Sequence, residues 1–326
     1  MESVRGPLDP PVTRDARGEL RTVGVEIELT GLGVGAIADT VARLFRGSVT
    51  RETDYLARVA TELGEFRVEV DLHLLQRIGR SRSENRDGRV VSALRDAVAS
   101  VAERIAPFEV VSPPLPYPTL PQLDELADAL ASAGARGTHA GLLHALGLHL
   151  NPEVVDTSAA AIHRHIRAFA ILEPWLRKRG EVDVSRKLTP FVDPYPAAYV
   201  ERLLGQETAP PIARLIDEYL RFNPTRNRGL DVLPLFASID RDRVHAAVPD
   251  PRVRSRPTFH YRLPDSRVGE PGWRVTDEWR LWLVVEELAA SPQHMARLAD
   301  AYRSTLHGAS AASARLEWAR RCAVLL

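Results

Sequence analysis

The sequence predicts one domain of mixed strands and helices, built around a sheet whose second face is polar. Three observations lead there. Gly24-Val25-Glu26-Ile27-Glu28-Leu29 alternates apolar and non-apolar residues at the strand period of two, so Val25, Ile27 and Leu29 share a face opposite Glu26 and Glu28. Four later stretches repeat that arrangement. Between them run segments with helical spacing, and no internal repeat or long low-complexity linker divides the chain.

Two carboxylates on one strand face repel each other. Either that face is half exposed and solvated, or divalent cations or positively charged side chains compensate it. The later strands favour compensation. In Gly64–Asp71, Phe66, Val68 and Val70 alternate with Glu65, Arg67, Glu69 and Asp71. Phe108–Pro114 carries one charge, Glu109, and two prolines close it. In Ala145–Pro152 the leucines at 146, 148 and 150 lie opposite Gly147, His149 and Asn151, and a glycine beside a histidine permits close approach of a ligand. Thr258–Leu263 sets His260 and Arg262 opposite Phe259, Tyr261 and Leu263.

The remaining elements follow in order. Residues 1–20 hold Pro7, Pro10 and Pro11 without periodicity and are expected to form a loose arm, leaving 21–326 as the single domain. Ala36–Phe45 reads as a helix and Ser48–Ala60 as two strands. The arginine-rich stretch 79–89 reads as a surface loop, and Val90–Ile105 as a helix. Leu120–Ala133 is a helix ending before Gly134. A long helix runs to about Arg179 with Asp156 as its expected cap, and His163 and His165 are expected on its surface. Residues 185–196 form a proline-punctuated loop with Arg186 and Lys187. Ile212–Phe222 is helical, Asn223–Arg228 is a turn, and three helices close the chain from about Thr276.

Composition narrows the function classes. Acids and bases balance at 43 each in 326 residues, so no overall field points to nucleic acid or a membrane surface. Lys178 and Lys187 are the only lysines. Cys322 is the single cysteine, which excludes an intramolecular disulfide and a cysteine-rich metal site. No apolar run approaches the ~20 residues of a membrane span, and no charged-then-apolar leader opens the chain. A cytoplasmic protein is expected.

Collected, the polar faces offer Glu26, Glu28, Glu69, Asp71, Glu109, His149, Asn151, His260 and Arg262. Carboxylates with imidazole suit a hard cation such as Mg²⁺ or Mn²⁺. Such sites commonly hold nucleotide phosphates, with an arginine neutralising the moving phosphoryl group. The chain has no GxxxxGK[ST], HExxH or GxSxG motif, so a nucleotide would be held by metals on the sheet.

At these residues the chain resembles the amidoligases of the glutamine-synthetase-like carboxylate–amine ligase superfamily. The resemblance is carried by Gly24–Glu28, Glu109-Val110-Val111-Ser112-Pro113-Pro114, Gly147–Asn151 and Thr258–Leu263, with weaker matches at Glu69–Asp71 and Asn227–Pro234. It implies an α+β fold with a curved antiparallel sheet, flanking helices and an active site on the concave face. It also implies ATP-dependent joining of a carboxylate to an amine through an acyl phosphate. Glu26, Glu28, Glu109 and His149 would then hold divalent metal, and Arg262 would stabilise phosphate charge. Related ligases often carry Glu two residues before that arginine; this chain has His260, which changes one candidate metal position.

The expected function is therefore ATP·Mg²⁺- or Mn²⁺-dependent ligation of small-molecule or peptide acids and amines. Arg262, Glu109 and His260 are the candidate catalytic residues. His149, Asn151 and Arg228 are the candidates for nucleotide or substrate binding, with Arg186, Lys187 and Arg228 available to orient an acidic substrate. A partner ligase or amidotransferase protein fits the same reading. Two rivals stand beside it: a degenerate ligase fold that binds nucleotide as a subunit, and a metal-dependent hydrolase using the same carboxylates.

Overall fold

The computed structural model describes residues 7–70, 107–138, 146–180, 192–306 and 310–326. The expectations for Asp71, the 79–89 loop, the Val90–Ile105 helix, Arg186 and Lys187 lie outside these residues. The architecture is mixed, with strands in antiparallel ladders and ten helices among the described residues. Two compact units emerge. The first draws on Val23–His149 and Asp265–Thr276, the second on Val4–Thr22, Leu150–Pro264 and Asp277–Leu326.

In the first unit, β1 (Thr22–Leu29), β2 (Ser48–Thr53), β3 (Leu56–Thr61), β4 (Gly64–Val70) and β5 (Phe108–Val111) lie in the order β2-β3-β4-β5-β1. The β6 pair Leu115–Pro116 sits beside β1, and β7 (Leu148–Pro152) enters on the far side of β1. Alternation divides the sheet. Val25, Ile27 and Leu29, Phe66 and Val68, and Phe108 and Val110 are all buried on one side. The helix α1 (Val34–Leu44) packs on β3 and β4, burying Val34, Ile37, Ala38 and Val41. The second helix, α2 (Pro121–Ala133), packs against α1. It stops at Gly134, whose φ of 114° places it in the left-handed region while its N–H reaches back to the Leu130 and Ala131 carbonyls.

In the second unit, β7 pairs with β9 (His260–Tyr261), and β9 pairs with β8 (Leu230–Asp231), both antiparallel. The expected strand Thr258–Leu263 is thus a two-residue ladder. Its neighbours still hydrogen-bond, Phe259 N–H to the Pro152 carbonyl and Arg262 N–H to that of Gly229. The long helix α3 (Ala159–Arg179) is capped by Ser158, whose Oγ accepts from Ala161 N–H, rather than by Asp156. Asp156 instead accepts the Ser158 N–H at 2.8 Å and fixes the cap residue. The histidines of α3 are not on a free surface. His163 is 1% exposed, and His165 bonds the Ala161 carbonyl and packs on the Phe259 ring. A helix buried on most of its circumference leaves little room for the polar face that periodicity predicts.

Against α3 pack α4 (Ala197–Gly205), α5 (Ile212–Phe222), α9 (Pro292–Leu306) and α10 (Ala311–Leu325), while α6 (Leu233–Ile239) packs on α7 (Arg241–Ala247) and α8 (Val275–Ala289) precedes α9. Tyr195, Tyr199, Tyr219 and Phe236 meet edge to face at centroid distances of 5.3–6.2 Å, a geometry aromatic rings prefer. Deep in this unit Arg21 forms a bidentate pair with Glu286 at 2.7 and 2.9 Å, and Glu286 also accepts from Trp282 Nε1. Residues expected as a loose arm supply the Leu8 carbonyl to Trp279 Nε1 and an antiparallel bridge between Arg14 and Leu20. Cys322 is fully buried in α10, and burial pushes its thiol up to about 12. Among the described residues no helix is long and apolar enough to cross a membrane.

Candidate functional site

The first unit turns its polar residues to one side of the sheet, and the strand register explains how. Glu28 stands opposite Glu109 in the β1–β5 ladder, and Glu109 stands opposite Glu69 in the β4–β5 ladder. Three carboxylates therefore form a row across three neighbouring strands. Glu26 lies two residues along β1 from Glu28 and so shares its face. Glu69 is tied to Arg67 at 2.9 Å and is one-third exposed, so it is the most solvated member. Asp71 lies outside the described residues.

His149 completes the group from β7. Its Nδ1 donates to Glu26 Oε2 at 2.9 Å, with Glu109 Oε1 at 4.0 Å, and its Nε2 faces Glu28 Oε1 at 3.5 Å. Glu28 Oε2 also accepts the Gly147 N–H at 2.6 Å. Glu26, Glu28 and His149 are each less than one-tenth exposed. A carboxylate on one ring nitrogen sets the tautomer and orientation that a ligating histidine needs on the other.

Gly147 is required by shape. A Cβ there would stand 2.7 Å from His149 Nε2 and 3.5 Å from Glu28 Oε2, inside the space that the ring occupies. The Ser112-Pro113 turn has a structural role of its own. Ser112 Oγ accepts the Val25 N–H at 2.9 Å while its own N–H bonds the Val25 carbonyl, so the ladder holds up to the point where proline ends it. This keeps Glu109 in register with Glu28.

The second unit holds the other sequence candidates. Asn151, His260 and Asp231 fall in one cross-strand row, since Leu150 pairs with Tyr261 and Asp231 with His260. His260 Nδ1 bonds Asn151 Oδ1 at 2.8 Å, and both residues are buried. Arg262 follows β9 and donates through Nη1 to the Arg226 carbonyl. Arg228 spends its guanidinium on the turn itself, through Nε to Asn223 Oδ1 at 2.8 Å and Nη1 to the Pro194 carbonyl at 3.1 Å. Two residues went unremarked as site candidates in the sequence. Arg226 and Asp231 are neighbours of Arg262 in charge, and burial pushes the Asp231 carboxyl up to about 6 despite that arginine company. Asp231 could have been found as the lone acid in an apolar run, but Arg226 carries no pattern signal.

Glu28, Glu109 and His149 each present a donor atom within 4.8 Å of the others. Two carboxylates and an imidazole, with a third carboxylate orienting the ring, make a hard-cation donor set, so Mg²⁺ or Mn²⁺ fits the residues present. The fold and these residues define a mixed α/β protein with buried acids concentrated on a sheet face. Its family is shown by a model described as "Putative amidoligase enzyme", which matches residues 19–284, well over half the chain. The chain belongs to that family of ligase-type enzymes. No curated protein and no solved structure matches it.

Proposed function

We propose that the chain is an ATP-dependent carboxylate–amine ligase that works with Mg²⁺ or Mn²⁺. The observation that carries this reading is the Glu28–Glu109–His149 group, with Glu28 and His149 buried and Glu109 half-buried, in a chain of the amidoligase family. Buried carboxylates facing one another are unfavourable in the bare protein, and a divalent cation offsets their repulsion. A glutamine-synthetase-like sheet and an intracellular setting belong to the same proposal.

Glu28, Glu109 and His149 would hold the cation, Glu26 would fix the imidazole, and Glu69 would extend the acidic row. Arg262 is assigned to phosphoryl charge, where a planar guanidinium matches two oxygens at once. His260 is held by Asn151 through Nδ1, which leaves Nε2 as the ring's basic atom. When bound, ATP supplies the leaving group: the acid's carboxylate oxygen takes the terminal phosphoryl with departure of ADP, and the amine nitrogen then displaces phosphate and loses a proton.

The test is an ADP-release screen over amino acids, small peptides and polyamines with each metal. ADP should form only when acid and amine are present together, and Glu28→Gln should abolish it. Nucleotide binding without ADP from any pair would favour the degenerate binding subunit, a reading that the His260 substitution supports. Turnover of an amide or phosphoester without ATP would make the protein a hydrolase.

A further inference from the structure

A groove of about 470 Å³ lies in the first unit, between the C-terminal half of α2 and the segment 269–274. It is separate from the acidic row, because none of its lining residues belongs to β1, β4, β5 or β7. Its size falls within the roughly 300–1,000 Å³ of small-molecule sites. Both ends of the wall are tied to α2 or to the chain that follows it. Gly137 N–H and Thr138 N–H bond the Val268 and Ser266 carbonyls at 2.8 Å each. At the other end Thr276 donates its N–H and its hydroxyl to the Asp124 carboxylate at 3.1 and 2.7 Å. A groove held this way is preformed, which spares a ligand the cost of ordering it.

The lining is apolar on two sides. Ala127 and Ala131 are four residues apart on α2 and share a face, so two methyl groups form the floor. Pro271 and Trp273 stand in the opposite wall. The charges that line the rest are paired, with one exception. Arg274 Nη1 reaches both Asp128 oxygens at 2.9 and 3.0 Å, and Arg267 holds Glu270 at 2.6 Å. Ser132 spends its hydroxyl on the Asp128 carbonyl at 2.8 Å. Arg136 is the exception. Its Nη1 donates to the Ala131 and Ala135 carbonyls at 3.2 and 2.6 Å, and it has no carboxylate partner among the described residues. Its Nε and Nη2, whose N–H bonds run parallel along one side of the guanidinium, donate to nothing among those residues. That is the edge that matches two oxygens of one carboxylate.

We propose that this groove is an accessory binding site for a small monocarboxylate with an apolar body. The carboxylate takes the open edge of Arg136, and the body lies between the alanines of α2 and the Pro271–Trp273 wall. A single uncompensated cation selects one negative charge. The apolar floor separates such an acid from inorganic phosphate, which has no body to bury. The site stands apart from the ligase reading: it uses neither the acidic row nor Arg262, and either can fail without the other.

The experiment uses the full chain in metal-free buffer at constant ionic strength. Benzoate is titrated by calorimetry and by tryptophan fluorescence, with benzamide, benzylamine and inorganic phosphate as comparisons. Benzoate should bind at a single site, benzamide about tenfold or more weakly for want of the charged hydrogen bond, and benzylamine and phosphate not measurably. Arg136→Gln should bring benzoate down to the level of benzamide, while Arg136→Lys keeps part of the affinity. Ala131→Leu should abolish binding by filling the floor. Ala131 is half-buried on a helix and leucine is a good helix former, so that variant should fold. Should Arg136→Gln not fold by circular dichroism, Ala131→Leu and the benzamide comparison decide. Equal affinity for benzoate and benzamide would overturn the carboxylate assignment. Benzoate binding unchanged in Ala131→Leu would place it elsewhere on the chain and overturn the site, as would no response to millimolar benzoate in the wild type.

Discussion

The first unit concentrates carboxylates on a sheet face, and the second gathers arginines around a turn. The two arise differently. Glu28, Glu109 and Glu69 are aligned by ladder register, so each strand's alternation dictates which way its acid points. Arg226 and Arg262 are brought together by a loop and by one backbone hydrogen bond next to a two-residue ladder. In both regions like charges are held close and partly out of water, which costs stability in the bare chain. The buried Arg21–Glu286 pair is the contrasting case, a charged group that is complete by itself.

That pair gives the largest expected effect. Arg21→Met strands Glu286 in the core with only Trp282 as a donor among the bonds described above, and should cost about 3–5 kcal/mol in denaturant unfolding. A loss below 1 kcal/mol would mean that buried charge in this fold is easily solvated, and the contrast with the two clusters would collapse.

The next effect has the opposite sign. The Asp231 carboxyl is raised to about 6 from an ordinary 3.8, so the folded chain holds that proton more tightly than the unfolded chain does. The resulting destabilisation is absent below pH 4, grows as pH rises through the window from 4 to 6, and is complete above it. Asp231→Asn should therefore raise stability by roughly 3 kcal/mol at pH 8 and by little at pH 4. Equal gains at both pH values would show that Asp231 is ionised throughout and belongs to a settled ion pair.

Gly147→Ala comes third. The added methyl meets the His149 ring, so the imidazole must move away from Glu28. Overpacking of this kind typically costs about 1–3 kcal/mol. The melting-temperature increment from Mn²⁺ should vanish along with it; a variant that keeps the increment would remove His149 from the cation's donor set.

The smallest effect is Glu28→Gln. The amide still accepts from Gly147 N–H but no longer repels Glu109 across the ladder, so the metal-free protein should gain about 0.2–1 kcal/mol. Differential scanning calorimetry in chelator would measure this. A loss instead of a gain would show that Glu28 already has its counter-charge within the protein.

The sequence displayed these regions unequally. Alternation in β1, β4 and β5 made the acidic face legible, down to which residues share it, because a period of two leaves one choice of side. The pairing partners were not legible: nothing local says that Glu109 meets both Glu28 and Glu69. The 258–263 stretch alternates well yet forms a strand of two residues, His260 and Tyr261, with a separate bridge from Thr258 to Glu153, because ladder length depends on what the neighbouring strand offers. Arg228 drew attention as a turn arginine, but it is occupied with Asn223 and Pro194, while Arg226 lies close enough to Arg262 and Asp231 for their charges to act on it. Side-chain direction in a turn has no period to betray it. The burial of His163 was hidden for a related reason, since a helix covered on most of its circumference loses the polar stripe by which an exposed face is recognised.

Cys322 has a practical consequence. Its sulfur is fully buried and burial raises its thiol to about 12, so almost none of it is thiolate at neutral pH, and thiolate is the form that reacts. The native chain is in effect a cysteine-free background for labelling. A cysteine introduced at exposed Tyr55 in the first unit and another at exposed Leu316 in the second would carry spectroscopic probes without first deleting the native thiol. The distance between such a pair, followed while metal, nucleotide and each candidate acid are added in turn, would report whether any of them changes it.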